Sequence, residues 1–202
     1  MTRLLFLNSS YAGSYGLHPL LYCYSNRGNF RPASFYATLE FVKAINSTPL
    51  LLTNFINKRG EFEDFIFNND YIVQRIIDTY RRRIQSAKHI FEYYFEILRL
   101  LNDGKSRDEI FIDLAKNEKY GRFIPASSNE VGFSTAEFSR TSKSEVFIRK
   151  AYSSASCCSI CVGLLHGYSI SIDHILRKQD GGLGNPENGQ LAHPYCNTGV
   201  KN

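Results

Sequence analysis

Residues 158–197 concentrate the side chains of this chain that could do metal chemistry. Cys158 and Cys161 are separated by two residues, and so are His193 and Cys196. Two such pairs of thiolate and imidazole groups have the spacing of a four-ligand structural zinc site. The sequence therefore predicts that Cys158, Cys161, His193 and Cys196 bind one Zn²⁺ ion.

A second set of polar groups lies between and beside these pairs. Asp173 and His174 are adjacent, Asn188 follows a Gly-rich stretch, and Asn197 comes directly after Cys196. Carboxylate and amide oxygens suit hard cations such as Mg²⁺ or Mn²⁺, and a neutral imidazole can accept a proton near neutral pH. Together they are the ligand and base set that phosphodiester hydrolysis needs. Alone, Asp173-His174 would be an ordinary strand-end pair, but the ordered series favours a site.

The five cysteines of the chain also have other interpretations. They could be buried apolar side chains or form disulfides. Cys157 competes with Cys158 for the zinc site, and the two-residue spacer to Cys161 favours Cys158. Cys23 is far from the cluster in sequence and is interpreted as a core thiol. An odd, clustered set fits metal-bound thiolates in a reducing compartment, so we expect a cytoplasmic protein.

With these motifs, residues 145–202 resemble the HNH endonuclease family, whose fold is a ββα-metal finger. The resemblance implies that Asp173 is a metal ligand, His174 the general base and Asn197 a second ligand of a catalytic Mg²⁺ or Mn²⁺ ion. It implies that Asn188 holds the loop that presents the base. It also places Cys158, Cys161, His193 and Cys196 at the zinc positions, with His193 where many relatives have Cys. The implied activity is cleavage of DNA.

Basic residues flank the predicted site and could contact phosphates. The candidates are Arg149, Lys150, Arg177, Lys178 and Lys201. The run Arg81-Arg82-Arg83 is interpreted as a solvated surface rather than a phosphate track. The net charge of +5 and pI near 8.9 favour a polyanionic partner such as DNA without proving one. Since no apolar run is long enough to span a bilayer, we expect no membrane association.

Hydrophobic periodicity predicts a mainly α fold, with a helical domain at residues 1–119. Apolar residues recur at helical spacing from Pro32, through 61–80 and through 84–102, where Ile84 begins the pattern. Ser106-x-x-Glu109 is a capping box that predicts a further helix to about residue 116. Residues 1–31 read as irregular. The aromatic side chains of these helices are predicted to form the core rather than stack on bases.

The remaining sequence predicts a small module joined by a linker. Residues 120–140 lose periodicity and are rich in Ser, Gly and Asn, so they are predicted to be the linker. The module at 141–202 is predicted to begin with a helix capped by Ser142 and Glu145. Strands at 169–176 and 189–192 and a helix from Pro194 follow. Because a hairpin and one helix bury little apolar surface, a bound zinc ion would stabilise the fold of this module.

A weaker resemblance covers residues 32–119. This segment is similar to the one that precedes HNH modules in restriction and phage-defence proteins of the Gmr type. The resemblance implies a role in restriction or phage defence. Since the sequence has no Gly-rich loop that could cradle phosphates, a nucleotide-dependent sensor or motor would be a separate subunit.

Two functions from different classes follow from the sequence. The first is a metal-dependent DNA endonuclease, with RNA as a less favoured substrate. The second is a zinc-stabilised DNA-binding or assembly module whose nuclease site is inactive or needs a partner protein. The complete set of Asp173, His174, Asn188 and Asn197 favours the first, because a binding module needs no base beside a hard-metal ligand.

Overall fold

The computed structural model describes residues 7–124 and 137–200, which belong to two compact units. One unit is Leu20–Ser154, and the other combines Met1–Pro19 with Ala155–Asn202. These bounds differ from the division into 1–119, 120–140 and 141–202 that the sequence suggested. The residues up to Pro19 group with the C-terminal segment, and the helix before residue 155 groups with the helical unit. Most of the predicted linker lies outside the described residues.

Helices dominate the described chain and confirm the predicted mainly α fold. They are α1 (Pro19–Tyr22), α2 (Pro32–Ile45), α3 (Pro49–Asn68), α4 (Asp70–Tyr80), α5 (Arg83–Asn102), α6 (Arg107–Lys116) and α7 (Arg140–Ser154), with a 3₁₀ turn at Gly121–Phe123. Over the ranges 7–124 and 137–200, none of the helices combines the length and apolarity that a bilayer crossing requires.

Local capping signals explain where these helices begin and end. Pro32 and Pro49 occupy first-turn positions, where the missing N–H has no partner to lose. Asn69 closes α3 and precedes α4, so the single periodic stretch at 61–80 is divided between two helices. The capping box of Ser106 and Glu109 forms as predicted and starts α6.

The predicted start of α7 was wrong by three residues. The helix begins at Arg140 rather than after Ser142. The backbone N–H of Ser142 donates to the Ser139 hydroxyl at 3.0 Å, and the two hydroxyls are also in contact at 2.9 Å. Ser139 therefore supplies the N-terminal cap, because a serine one turn earlier offers the same hydroxyl to the first N–H groups.

Helix α5 packs against α2, α3 and α4 and forms the centre of the helical unit. The rings of Phe41, Phe55, Phe62 and Tyr94 are buried together, with Phe41 stacked on Phe62 at a centroid distance of 5.4 Å. The prediction that aromatic residues form this core is confirmed. Ile84, which began the predicted apolar pattern of α5, is not part of the core, since it is 83% exposed on the first turn of that helix.

A charged pair is buried inside this aromatic core. Arg59 Nε lies 2.7 Å from Glu63 Oε1, and both side chains are almost wholly excluded from solvent. The hydroxyl of Tyr22 donates to the same carboxylate at 2.9 Å. Burial, followed by the charge of Glu63, raises the pKa of Tyr22 well above its usual value. Tyr22 therefore stays protonated as a donor, and the buried carboxylate is satisfied by two partners.

The C-terminal unit contains the predicted hairpin and a final helical turn. Strand β1 (Ser171–His174) pairs antiparallel with β2 (Gly189–Ala192), with Asp173 opposite Gln190 and Ser171 opposite Ala192. Strand β1 is shorter than the predicted 169–176. The final turn is a π-helix over Cys196–Val200 that follows two α-helical residues from Pro194. The order strand, strand, helix confirms the predicted ββα module.

Residues 12–16, here called the N-terminal strap, pack against this module. Thr198 Oγ1 donates to Ala12 O at 2.9 Å, and Tyr195 N donates to Ser14 O at 3.0 Å. The hydroxyls of Ser14 and Ser169 are buried and lie 3.0 Å apart. The strap therefore holds the final helical turn through these hydrogen bonds. The irregular sequence of residues 1–31 gave no reason to expect this role.

Candidate functional site

The four predicted zinc ligands lie together in the C-terminal unit. Cys158, Cys161, His193 and Cys196 are all buried, and their ligand atoms lie within 4.8 Å of one another. One tetrahedral zinc ion, with bonds of about 2.0–2.3 Å, holds its ligand atoms roughly 3.5–3.8 Å apart. Cys161 Sγ lies 3.3 Å and Cys196 Sγ 3.9 Å from His193 Nδ1. This group could therefore hold a zinc ion with small adjustments.

The orientation of His193 fits metal binding through Nδ1. Its Nε2 lies 2.9 Å from Leu164 O, and a carbonyl oxygen can only accept a hydrogen bond. The ring proton must therefore sit on Nε2, which leaves the Nδ1 lone pair directed at the thiols. A backbone partner of this kind fixes both tautomer and ring angle in zinc sites.

The thiols of this group influence one another strongly. A hydrogen bond from Cys161 lowers the pKa of the Cys158 thiol, and a hydrogen bond to Cys158 raises the pKa of the Cys196 thiol. Buried thiolates this close repel one another, so they can all ionise only if a cation neutralises them. Close packing of three thiols and an imidazole therefore suits a shared cation. Cys157 is exposed beside them and is absent from the group.

Three of the four residues of the second predicted set line one cavity of about 360 Å³. Its walls are Ile172, Asp173, His174, Arg177, Lys178, Gln179 and Asn197. Neighbouring side chains of a strand point to opposite faces, so Asp173 and His174 can share a site only where the strand stops. Strand β1 does end at His174, and both residues face this cavity. The structure thus brings together Asp173, His174 and Asn197.

Hydrogen bonds hold Asp173 and Asn197, the two candidate oxygen ligands of the cavity. Asp173 is 5% exposed, and one of its oxygens accepts from Gln190 Nε2 at 2.7 Å. Asn197 Nδ2 donates to Ser171 Oγ at 2.6 Å and to Ile172 O at 3.2 Å. Gln190 and Ser171 were missed from the sequence, because only the hairpin register shows that they reach these residues.

Asn188 lies outside the cavity wall and contacts the loop that follows His174. Its Oδ1 accepts from Leu176 N at 2.7 Å, and its Nδ2 donates to Leu176 O at 3.0 Å and Leu183 O at 2.8 Å. Glycine is needed at position 182, where the loop passes close to the backbone of Leu176, since a Cβ there would lie 1.8 Å from Leu176 O. The side chain of Asn188 therefore fixes the loop without touching the cavity.

The predicted phosphate-contacting residues have different surroundings. Arg177 and Lys178 line the cavity, and Arg177 Nε also pairs with Asp180 at 2.8 Å. Arg149 and Lys150 lie on α7 in the helical unit, where Arg149 pairs with Glu145 at 2.8 Å. Lys201 lies outside the described residues. Among the described residues of the C-terminal unit, Arg177 and Lys178 are the two candidates that lie beside the candidate catalytic groups.

Comparison with known proteins supports the resemblance found in the sequence. Residues 158–202 match the family model described as HNH endonuclease. The matched segment contains all four candidate zinc ligands, both strands of the hairpin and the cavity residues. No curated protein and no solved structure matches the chain. The similarity to an HNH endonuclease domain is thereby confirmed for this segment.

Proposed function

We propose that the HNH endonuclease domain of this chain is a metal-dependent DNA nuclease that hydrolyses phosphodiester bonds. The observation that carries the proposal is the shared cavity of Asp173, His174 and Asn197 beside a Cys₃His group. A carboxylate, an imidazole and an amide at one open cavity can bind a hard cation and remove a proton from water. The family match to residues 158–202 supports the same class of reaction.

Each cavity residue has a distinct role in this proposal. His174 accepts a proton from the attacking water, for which a neutral imidazole is suited near pH 7. Asp173 and the carbonyl oxygen of Asn197 hold Mg²⁺ or Mn²⁺. When bound, that cation neutralises charge that develops on the phosphate and the leaving oxygen. Lys178 and Arg177, at the cavity wall, contact the phosphate backbone on either side.

Zinc has a structural role in the proposal. The zinc-binding side chains are buried and saturate four ligand positions, and such closed sites stabilise folds rather than bind substrate. Cys196 and Asn197 are neighbours, so a zinc ion bound by the first residue would position the second. Asn188 orients the backbone after His174 and with it the base.

Nicking of supercoiled plasmid DNA tests the proposal directly. With Mg²⁺ or Mn²⁺ present, wild-type protein should nick the plasmid, and His174→Ala should be at least about 100-fold slower, because a general base contributes that much or more. Ile175→Ala is the matched control, since this neighbour is exposed and lies outside the cavity wall. A parallel assay on single-stranded DNA and RNA measures substrate preference.

Each outcome of this assay decides between the two function classes. Equal cleavage by wild-type and His174→Ala protein would reject His174 as the base. If neither protein cleaves although both bind DNA and contain zinc, the domain is a DNA-binding module whose nuclease site needs a partner protein. Loss of activity in His174→Ala alone supports the nuclease.

The proposal includes a role in restriction or phage defence inside the cytoplasm. It rests on the resemblance, drawn from the sequence alone, of residues 32–119 to the segment that precedes HNH modules in Gmr-type proteins. A separate nucleotide-dependent sensor or motor subunit belongs to the same proposal. Phage plaque counts on cells that express wild-type or His174→Ala protein, with and without neighbouring genes, test this role. Equal counts throughout would reject it.

A further inference from the structure

We infer that Gln190 and Ser171 are positioning residues that hold the two oxygen ligands of the catalytic cation in place before the cation binds. Gln190 contacts Asp173, and Ser171 contacts Asn197. The inference rests on the proposed function, because it assumes that Asp173 and Asn197 are the ligands. It assigns two further residues to the site, one from each strand of the hairpin.

Gln190 restrains the carboxylate of Asp173. The two residues are directly opposite in the antiparallel register, so their side chains share one face of the hairpin. The Gln190 Nε2 to Asp173 Oδ2 distance is 2.7 Å. Since an ionised carboxylate can only accept hydrogen bonds, the amide nitrogen of Gln190 must face it. The bond fixes the rotation of a carboxylate that is almost fully buried.

The contact with Ile172 O determines which atom of the Asn197 amide faces β1, and Ser171 adds a second contact to that atom. Asn197 Nδ2 lies 3.2 Å from Ile172 O, and a carbonyl oxygen accepts only, so the nitrogen must be on this side. Ser171 Oγ, at 2.6 Å, holds the same nitrogen a second time. Neither of these two contacts therefore uses the carbonyl oxygen of Asn197. An oxygen, and not an N–H group, is what a cation requires.

These contacts matter because a weakly held side chain loses conformational entropy when it binds the metal, and this loss lowers the metal affinity. Partners of metal ligands typically change metal affinity by about 10–100-fold when they are removed. Asp173 is held from β2 and Asn197 from β1, so hairpin pairing fixes the relative position of both oxygens. We therefore expect Gln190 and Ser171 to act on cation affinity more than on the proton transfer by His174.

Manganese binding without DNA is the test, measured by electron paramagnetic resonance on full-length, zinc-loaded protein. The variants are Gln190→Met, which keeps the side-chain size but removes the donor, and Ser171→Ala. Leu191→Ala is the control, because Leu191 is on the opposite face of β2. The Kd for Mn²⁺ should rise about 10–100-fold in Gln190→Met and less in Ser171→Ala, where Ile172 O remains as acceptor.

Two additional measurements separate positioning from general stabilisation. Zinc content and thermal unfolding should match the wild type, and kcat at saturating Mn²⁺ should change by less than the Kd does. An unchanged Mn²⁺ Kd in both variants would overturn the inference. If Asp173→Ala also leaves Mn²⁺ binding unchanged, or wild-type protein binds none, the proposed cation site fails as well. If Asp173→Ala alone abolishes binding, only the positioning role fails.

Discussion

Asn188 forms two hydrogen bonds with the backbone of a single residue, Leu176. Its side-chain oxygen accepts from Leu176 N at 2.7 Å, and its side-chain nitrogen donates to Leu176 O at 3.0 Å. An amide used in this way imitates a neighbouring strand. It extends the hairpin pairing past the end of β1, where Ile175 N donates to Asn188 O at 2.9 Å. The loop after His174 is therefore fixed by a side chain in place of a strand.

Asn188→Ala should lower cleavage while the protein keeps its zinc. The change leaves the loop after His174 without its three side-chain hydrogen bonds, and small displacements of catalytic groups can cost on the order of 100-fold in rate. We expect that loss in kcat, with unfolding of the C-terminal unit easier by about 1–3 kcal/mol. Glu187→Ala, at an exposed neighbour, is the control. Plasmid nicking and zinc analysis check this, and wild-type kcat in Asn188→Ala would contradict it.

Gly16→Ala should damage the zinc site from a distance in sequence. A Cβ at Gly16 would lie 2.4 Å from His193 Cδ2 and 2.9 Å from Ser169 Oγ, and φ at Gly16 is +61°. The ring of His193 must then move, which displaces one member of the candidate zinc group. We expect about 1–3 kcal/mol of destabilisation and faster zinc release to a chelator.

Gly167→Ala is the matched control for this prediction. A Cβ at Gly167 meets no atom within 4 Å, so its zinc release should equal that of the wild type. A colorimetric chelator assay on both variants measures the rates. Indistinguishable rates in Gly16→Ala and Gly167→Ala would show that the strap does not support His193.

Zinc removal should unfold the C-terminal unit and leave the helical unit folded. Strands β1 and β2 are each four residues long and cannot form a stable hairpin alone. The helical unit has its own aromatic core. Hydrogen exchange of chelator-treated protein should show lost protection in β1 and β2 but retained protection in α5. Retained protection in the strands of protein shown to lack zinc would reject the structural role.

Point variants of the cysteines test the same role without a chelator. Cys161→Ser removes a buried member of the ligand group and should lower zinc content and thermal stability of this unit. Cys157→Ser removes an exposed thiol and should change neither. Equal zinc content in the two variants would exclude Cys161 from the site.

Glu63→Gln should destabilise the helical unit strongly. The change leaves the charge of Arg59 buried without a counter-charge, which costs about 3–5 kcal/mol. Glu40→Gln breaks an exposed pair with Lys43 of 3.2 Å and should cost less than about 1 kcal/mol. Urea unfolding followed by circular dichroism compares the two, and similar midpoints would contradict the prediction.

The sequence predicted the features that depend on local spacing. The zinc ligands were evident because Cys158 and Cys161, like His193 and Cys196, are close in sequence. The capping box at Ser106 was recognised because its partner is three residues away. At Ser142 the same rule failed, since Ser139 offers an equivalent hydroxyl one turn earlier. Local motifs cannot decide between two adequate caps.

Features that depend on distant pairing could not be predicted. Gln190 meets Asp173 only through the hairpin register, which follows from folding and not from spacing. The strap has no motif, and its contacts with Tyr195 and Thr198 join opposite parts of the sequence. The grouping of the residues up to Pro19 with the C-terminal segment also depends on such distant contacts. Asn197 was placed on a helix, and the π-helical form of that turn has no signal in the sequence.

The contact between Ala12 and Thr198 has a consequence during protein synthesis. These residues are 186 positions apart, so at roughly 5–20 residues per second the ribosome needs about 10–40 seconds to make the second after the first. Helices of the intervening segment can fold during that delay, whereas the final helical turn cannot yet pack against the N-terminal strap. The C-terminal unit of a nascent chain is therefore incomplete until residue 198 has been added.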